Sequence, residues 1–390
     1  MMADQMGLDI EALRAATPAL PGVVHFNAAS SGLVPRAVLE AMQAHLQAEA
    51  ALAPHEAGVA VADAIEAARA AAARLIGARA EEVALTTGSS QAWNAAFHAL
   101  PALQGGDRVL VGAHEWGGNV FTLVEAARRS GAVIETIPTG PDGRMDTGAL
   151  AAMMDDRVRL IAVTWVPAHL GIAEPVAEVG QIARAAGVPY LLDAAQALGL
   201  LPCDVGRIGC DMLTAPGRKA LRGPKGTGVL YVRQGCAATP GALNVRAAGW
   251  QAGKVVLRRD AARFESNEYA PAPLLGLGVA LGLALDLRVE EIRRATFDKV
   301  AALRAGLSGV AGVSLRESGV VQSHITTFTH ARMTPAEVMQ ALRAQGVTIN
   351  AVPAHYGPLS GLAGPVCRAS VSYLTTQDEI ARLCAVLGAL

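Results

Sequence analysis

Residues 211–232 read DMLTAPGRKALRGPKGTGVLYV, and this stretch decides the fold. An apolar run ends in a Pro216-Gly217 turn, Arg218 and Lys219 follow, and a glycine-rich loop leads into a second apolar run from Gly228 to Val232. Short apolar runs punctuated by glycine and proline read as strands, which puts Lys219 at a sheet's edge, just past a strand end. Only four of the 33 basic residues are lysines: Lys219, Lys225, Lys254 and Lys299. Where a simple positive charge suffices the chain uses arginine, so a retained lysine points to a need for a neutral amine. A lysine that loses solvent or gains a cationic neighbour, which Arg218 supplies, has a lowered pKa and can condense with an aldehyde; arginine cannot. Taken alone, such a residue is more often a solvated loop lysine.

Working upstream, VALTTG, RVLVGAH, AVIETIP, VRLIAVTWV and YLLDAAQ alternate with amphipathic stretches such as NVFTLVEAARRSG and PVAEVGQIARAAG. With DMLTAPG and GVLYVR they make seven runs, the pattern of βαβ units around a mostly parallel sheet. Ligands of such sheets sit beyond the carboxyl ends of the strands. Asp193 ends one of these strands, where an unpaired carboxylate is costly, although helix capping explains it as well as function does. Lys219 and Asp193 together meet two needs of pyridoxal phosphate: an amine for the aldehyde and an acid for the pyridine nitrogen. Ser89 and Ser90, after Gly88 at a helix start, offer a phosphate cradle, though such a turn is more often a plain cap. Trp116 in HEWGGN is the candidate ring for the pyridine face, or else a core residue.

Downstream of Arg233 the pattern loosens through a Gly/Pro-rich connection, and a long helix-like run extends from near Pro273 towards Gly306. Strand (VVQSHITTFTH), helix (TPAEVMQALRAQG), strand (VTINAV), strand (CRASVSYL) and a terminal helix capped at Thr376 to Glu379 follow. The expected organisation is an N-terminal segment, 1–20, packed on the small domain, a large domain over 21–260, and a smaller α+β domain over 261–390.

With 390 residues there is ample chain for a core. A net charge of -1 with 17% charged residues creates no field that draws in nucleic acid or an anionic membrane. The longest apolar stretch, near LLGLGVALGLAL, is shorter than the roughly 18 to 20 residues that span a bilayer. MMADQMGLDIEALR lacks the basic start and apolar centre of an export signal, so a cytoplasmic protein is expected. Five cysteines without CxxC or Cys/His spacing predict neither a disulfide framework nor a metal site.

Taken together, FNAASSGLVP, TTGSSQAWN, GDRVLVGAHEWGGN, LLDAAQALG, GRKALRGPKGTGVLYV, RFESNE and VCRASVSYLTTQDEI stand in an order that resembles the class V aminotransferases of pyridoxal-phosphate (PLP) fold type I. That group includes cysteine desulfurases, selenocysteine lyases, isopenicillin N epimerase-like proteins and cysteine-free C–S lyases, and the resemblance covers nearly the whole chain. It implies an α/β large domain with a mostly parallel seven-stranded sheet and a smaller α+β domain. It also implies that Lys219 holds the cofactor, Asp193 pairs with the pyridine nitrogen and Gln196 meets the phenolic oxygen. Ser89 and Ser90 stand at the phosphate, and Arg368 clamps the substrate carboxylate, with Asn350 and His355 beside the substrate. A homodimer is implied too, since RFESNE corresponds to a segment that reaches the neighbouring subunit.

The departures shape the expected reaction. The loop NAVPAHYGPLSGLAG, where desulfurases carry a nucleophilic cysteine, has His355 and Tyr356 but no cysteine, and Cys367 next to Arg368 occupies a common structural position. On this ground the sequence predicts an enzyme that is not a persulfide-forming desulfurase. Pro216-Gly217-Arg218-Lys219 stands where the family has Ser-x-His-Lys, so Arg218 takes over the phosphate charge; Ala168, beside His169, stands for the family's ring asparagine, and Glu268 for the threonine lent across subunits. The expected activity is β-elimination of the C–S lyase type on an amino acid whose side chain the sequence does not specify, starting at Cα–H with Lys219 as base. Transamination, epimerisation with His355, Tyr356 or His169 as a second acid, and a catalytically silent PLP-fold binding protein are the alternatives.

Overall fold

The computed structural model describes residues 7–20, 22–317, 319–361 and 364–390. Its centre is a seven-stranded sheet in the order Val83–Thr86, Gly228–Val232, Met212–Pro216, Tyr190–Asp193, Val158–Thr164, Arg108–Gly112, Val133–Ile137. Neighbours run parallel except Gly228–Val232, which is antiparallel to both of its partners. Helices cover both faces, so strands such as Tyr190–Asp193 and Gly228–Val232 are buried along their whole length, and this is why they read as continuous apolar runs. Register sets Thr164 beside Asp193 and Asp193 beside Thr214, while Gly228 lies opposite both Thr86 and Pro216. The turn at 86–88, Asp193 and the loop bearing Lys219 therefore meet at one edge.

The second sheet, Val313–Leu315, Ile325–His330, Val366–Ser370 and Asn350–Val352, is wholly antiparallel. Helices Val289–Ser308, Pro335–Ala344 and Gln377–Gly388 pack around it over a core that includes Phe26, Val300, Leu303, Phe328, Leu342 and Leu383. Val24–His25 pairs in parallel with Val347–Thr348, and Asn27 bridges to Ser370, so the chain after His25 enters the cleft between the sheets. The segment before it is tied down by an Arg14–Glu379 ion pair of 2.9 Å.

Three elements depart from the sequence expectation. The long helix is two, Pro271–Leu287 and Val289–Ser308, bent by 81° at Arg288, whose φ is 61°. Glu290 and Glu291 open the second helix, where acids complement the positive dipole end. The first helix, counted with the small domain in the sequence, packs on Arg36–Leu52 and Ala62–Leu75. Within the loose connection lies a hairpin, Ala248–Gln251 with Lys254–Leu257, whose two-residue turn has positive φ at both Ala252 and Gly253. That geometry normally announces itself as Asn-Gly, and alanine hides it. VTINAV splits at Ile349 into two short strands that join different sheets. No single helix among the described residues is long and apolar enough to cross a membrane.

Candidate active site

A cavity of about 730 Å³ opens at the carboxyl edge of the large sheet, with Asp193, Lys219, Trp116 and Arg368 among its walls. Asp193 is buried, accepting Ala195 N–H at 2.8 Å on Oδ1 and the Asn119 amide at 3.0 Å on Oδ2. Burial raises its pKa; the Lys219 charge and these two donors pull the other way. Lys219 is partly exposed as a residue, but burial of its amine pushes its pKa down to about 7, with Arg218 and Arg368 adding to the shift and Asp193 opposing it. Asp193 and Lys219 act on each other through space rather than through a hydrogen bond. An acid and a neutralisable amine thus face one cavity without consuming each other.

The phosphate-like corner follows from close packing. A Cβ on Gly228 would come within 2.8 Å of the Gly88 backbone and of Thr86 Oγ1, so only glycine there lets the turn lie against the sheet. Ser89 and Ser90 open the 11-residue helix Ser89–Ala99 and line the cavity with Arg218 and Lys225. Burial alone lowers the Arg218 pKa and no carboxylate offsets it, an arrangement that suits a dianion. Trp116 is half-buried, its backbone N–H donating to Thr164 Oγ1 at 3.1 Å, and its ring meets Tyr356 edge-on at 4.5 Å. Gln196 donates to Ala29 O at 3.0 Å, while its Oε1 has no partner among the described residues.

Arg368 is 2% exposed and donates to Ala168 O at 2.8 Å, Ser30 Oγ at 2.6 Å and Asn27 Oδ1 at 3.3 Å. All three acceptors are neutral, Nε has no partner among the described residues, and burial lowers the pKa to about 10. A buried guanidinium without a carboxylate is matched to an anion that enters the cavity. Asn350 and His355 are not brought there. Asn350 lies opposite Arg368 in the sheet register but does not line the cavity. The His355 side chain is exposed, because its carbonyl packs on Gly117, where any Cβ would overlap it; Tyr356, the next residue, faces the cavity instead. His169 sits behind Gly357, buried and without a partner for either nitrogen among the described residues, its pKa pushed down to about 4 mainly by burial. Asn27, Ser30, Asn119 and Thr164 also line the cavity, with Glu115 buried behind the last two. Nothing in the sequence ranked them, since each acts by contacts to residues far along the chain.

The Aminotransferase class-V family profile matches residues 23–383. The chain belongs to the class V aminotransferase family. A probable cysteine desulfurase of Xylella fastidiosa (strain 9a5c) is 29% identical, covering 97% of this chain and 95% of that protein. A cysteine desulfurase of Dickeya dadantii (strain 3937) is 31% identical over 327 residues, covering 80% and 77%. Among solved structures, the apo cysteine desulfurase of Thermococcus onnurineus NA1 has a TM-score of 0.89 at 22% identity, covering 100% and 99%. A complex of a cystine C–S lyase with its product cysteine persulfide has 0.87 at 24%, covering 95% and 99%. The fold is that of the fold type I PLP enzymes, the family cofactor is pyridoxal phosphate, and the residues of the cavity fit it: two cations, Arg218 and Lys225, beside a helix start, a buried acid, a depressed lysine and a half-buried ring.

One expectation is overturned. The missing cysteine in the 350–364 loop led the sequence reading to exclude a cysteine desulfurase, yet relatives bearing that name align over 97% of the chain. One loop's residue content does not outweigh similarity spread across every element, and what stands is a PLP-dependent enzyme of this family.

Proposed function

We propose that the protein breaks the C–S bond of a cysteine-type amino acid, with pyridoxal phosphate held in the 730 Å³ cavity. The observation that carries this reading is Arg368: a buried guanidinium offered only neutral acceptors, lining the same cavity as a lysine whose pKa is near 7. When bound, pyridoxal phosphate supplies an electron sink that acidifies the Cα–H of an amino acid. Lys219 holds the cofactor's aldehyde carbon and, as a free neutral amine, takes the Cα proton on Nζ. Asp193 faces the pyridine nitrogen, Gln196 the ring oxygen, Trp116 the ring face, and Ser89, Ser90 and Arg218 the phosphate. Arg368 grips the α-carboxylate with paired N–H groups, which fixes the orientation of Cα–H as well as the charge. Departure of sulfur from Cβ after proton removal leaves a three-carbon product that hydrolyses to pyruvate and ammonia.

Desulfuration is the second reading, favoured by the names of the relatives. The two differ in product: pyruvate and ammonia from elimination, alanine from desulfuration. Incubating the PLP-loaded protein with L-cysteine and with L-cystine and quantifying pyruvate, ammonia, alanine and released sulfur separates them. Formation of neither pyruvate nor alanine from both substrates defeats the C–S reading. The homodimer is likewise a proposal, supported by family membership.

A further inference from the structure

Glu115 is 0% exposed, and none of the roles above uses it. Its carboxylate accepts Thr164 N–H at 2.6 Å on Oε2, and the Thr164 hydroxyl at 2.8 Å and the Asn119 amide at 2.7 Å on Oε1. The same Asn119 Nδ2 donates to Asp193 Oδ2 at 3.0 Å. One amide group therefore joins two buried carboxylates. Burial pushes the Glu115 pKa up to about 7 and the Asp193 charge adds to the rise, while the donors from Asn119 and Thr164 oppose it. A buried acid is costly, and a glutamine of the same shape would avoid the charge.

The amide has one tolerable orientation. Turned over, Asn119 would aim its carbonyl oxygen at two carboxylates, so Glu115 adds to Asp193's own demand for a donor. Thr164, which donates twice to Glu115, also accepts the Trp116 backbone N–H, so the same acid braces the strand end under the stacking ring.

We propose that Glu115 is a positioning residue which, through Asn119, aims Asp193 at the pyridine nitrogen. This rests on Asp193 facing the nitrogen, as proposed above. The Glu115–Asn119–Asp193 unit, not Asp193 alone, thereby fixes how the acid meets the ring nitrogen.

The test uses the holoprotein loaded with pyridine-15N pyridoxal phosphate, whose nitrogen chemical shift separates protonated from neutral pyridine. In Glu115→Gln one end of the glutamine must face a donor, either Thr164 N–H or Asn119, so the link is disturbed. The expected result is a nitrogen signal moved towards neutral pyridine and a kcat lowered about tenfold, as for loss of one charge-assisted hydrogen bond, with KM changed less. Asn119→Ala leaves Glu115 on its two Thr164 donors and removes only the link; it should move the signal in the same direction, and the double variant should move it no further. A pyridinium signal unchanged in Asn119→Ala and in whichever Glu115 variant folds, or shifts that simply add, overturns the inference. Asp193→Asn is the control: if that variant leaves the signal unmoved, it is the assignment of Asp193 that fails.

Discussion

An amine with a pKa near 7 is half neutral at neutral pH, where an ordinary lysine near 10.4 is almost wholly charged. Covalent capture of added pyridoxal phosphate by the apoprotein needs the neutral form, so its rate should climb as pH rises through about 7 and level off above. Absorbance-monitored uptake across pH checks this, and a midpoint near 10 removes the desolvated lysine from the account. Borohydride reduction should fix the cofactor on Lys219, and peptide mapping that finds it on Lys225, Lys254 or Lys299 contradicts the assignment. Arg368→Lys keeps a charge but loses the paired N–H geometry. It should lower kcat/KM by roughly thirty- to a thousand-fold, corresponding to about 2 to 4 kcal/mol, with cofactor absorbance unchanged. Loss of bound cofactor with normal turnover after its addition makes Arg368 a cofactor or structural residue instead.

Helix starts and turns do the placing at the next scale. Ser89–Ala99 presents its first turn to the cavity, and Ser89→Ala should weaken cofactor binding by about five- to tenfold, the worth of one hydrogen bond, measured as the pyridoxal phosphate dissociation constant. The turn Ala354–Tyr356 is seated by Gly117, the first residue of the next helix. Gly117→Ala should unseat it, costing about 1 to 3 kcal/mol in a denaturant melt and lowering kcat/KM more than cofactor affinity. A fully stable, fully active variant shows that the turn does not position Tyr356. Two of the three elements that sequence periodicity missed share one feature. At Arg288 and at Ala252 a residue other than glycine takes positive φ, so the punctuation that marks a break is absent from the letters.

At the scale of the molecule, the cavity is shared between two sheets, since Arg368 comes from the small one and Asp193 from the large one. Family membership leads us to expect a homodimer with an interface of roughly 2,000 Å² or more. Sedimentation of the active protein should show a dimer, and a monomer with full activity excludes it.

All seven strands of the large sheet were legible in the residue order, because a strand buried on both faces must be apolar throughout. Lys219, Asp193, Ser89, Ser90 and Arg368 were singled out in the sequence by motif and family order, and the structure brings them to the wall of one cavity. Convergence was not legible. Arg368 reaches Ala168 and Asn27 across 200 and 341 residues, and Asp193 reaches Asn119 across 74. No local period encodes such separations; they follow from strand register and from the seating of one chain segment on another. The same holds for the exchange of His355 for Tyr356 at the cavity wall, which a single missing Cβ at Gly117 permits. Residue chemistry and local pattern belong to the sequence, whereas which side chains share a desolvated space is decided only when the sheets close on each other, because burial is a property of the packed whole.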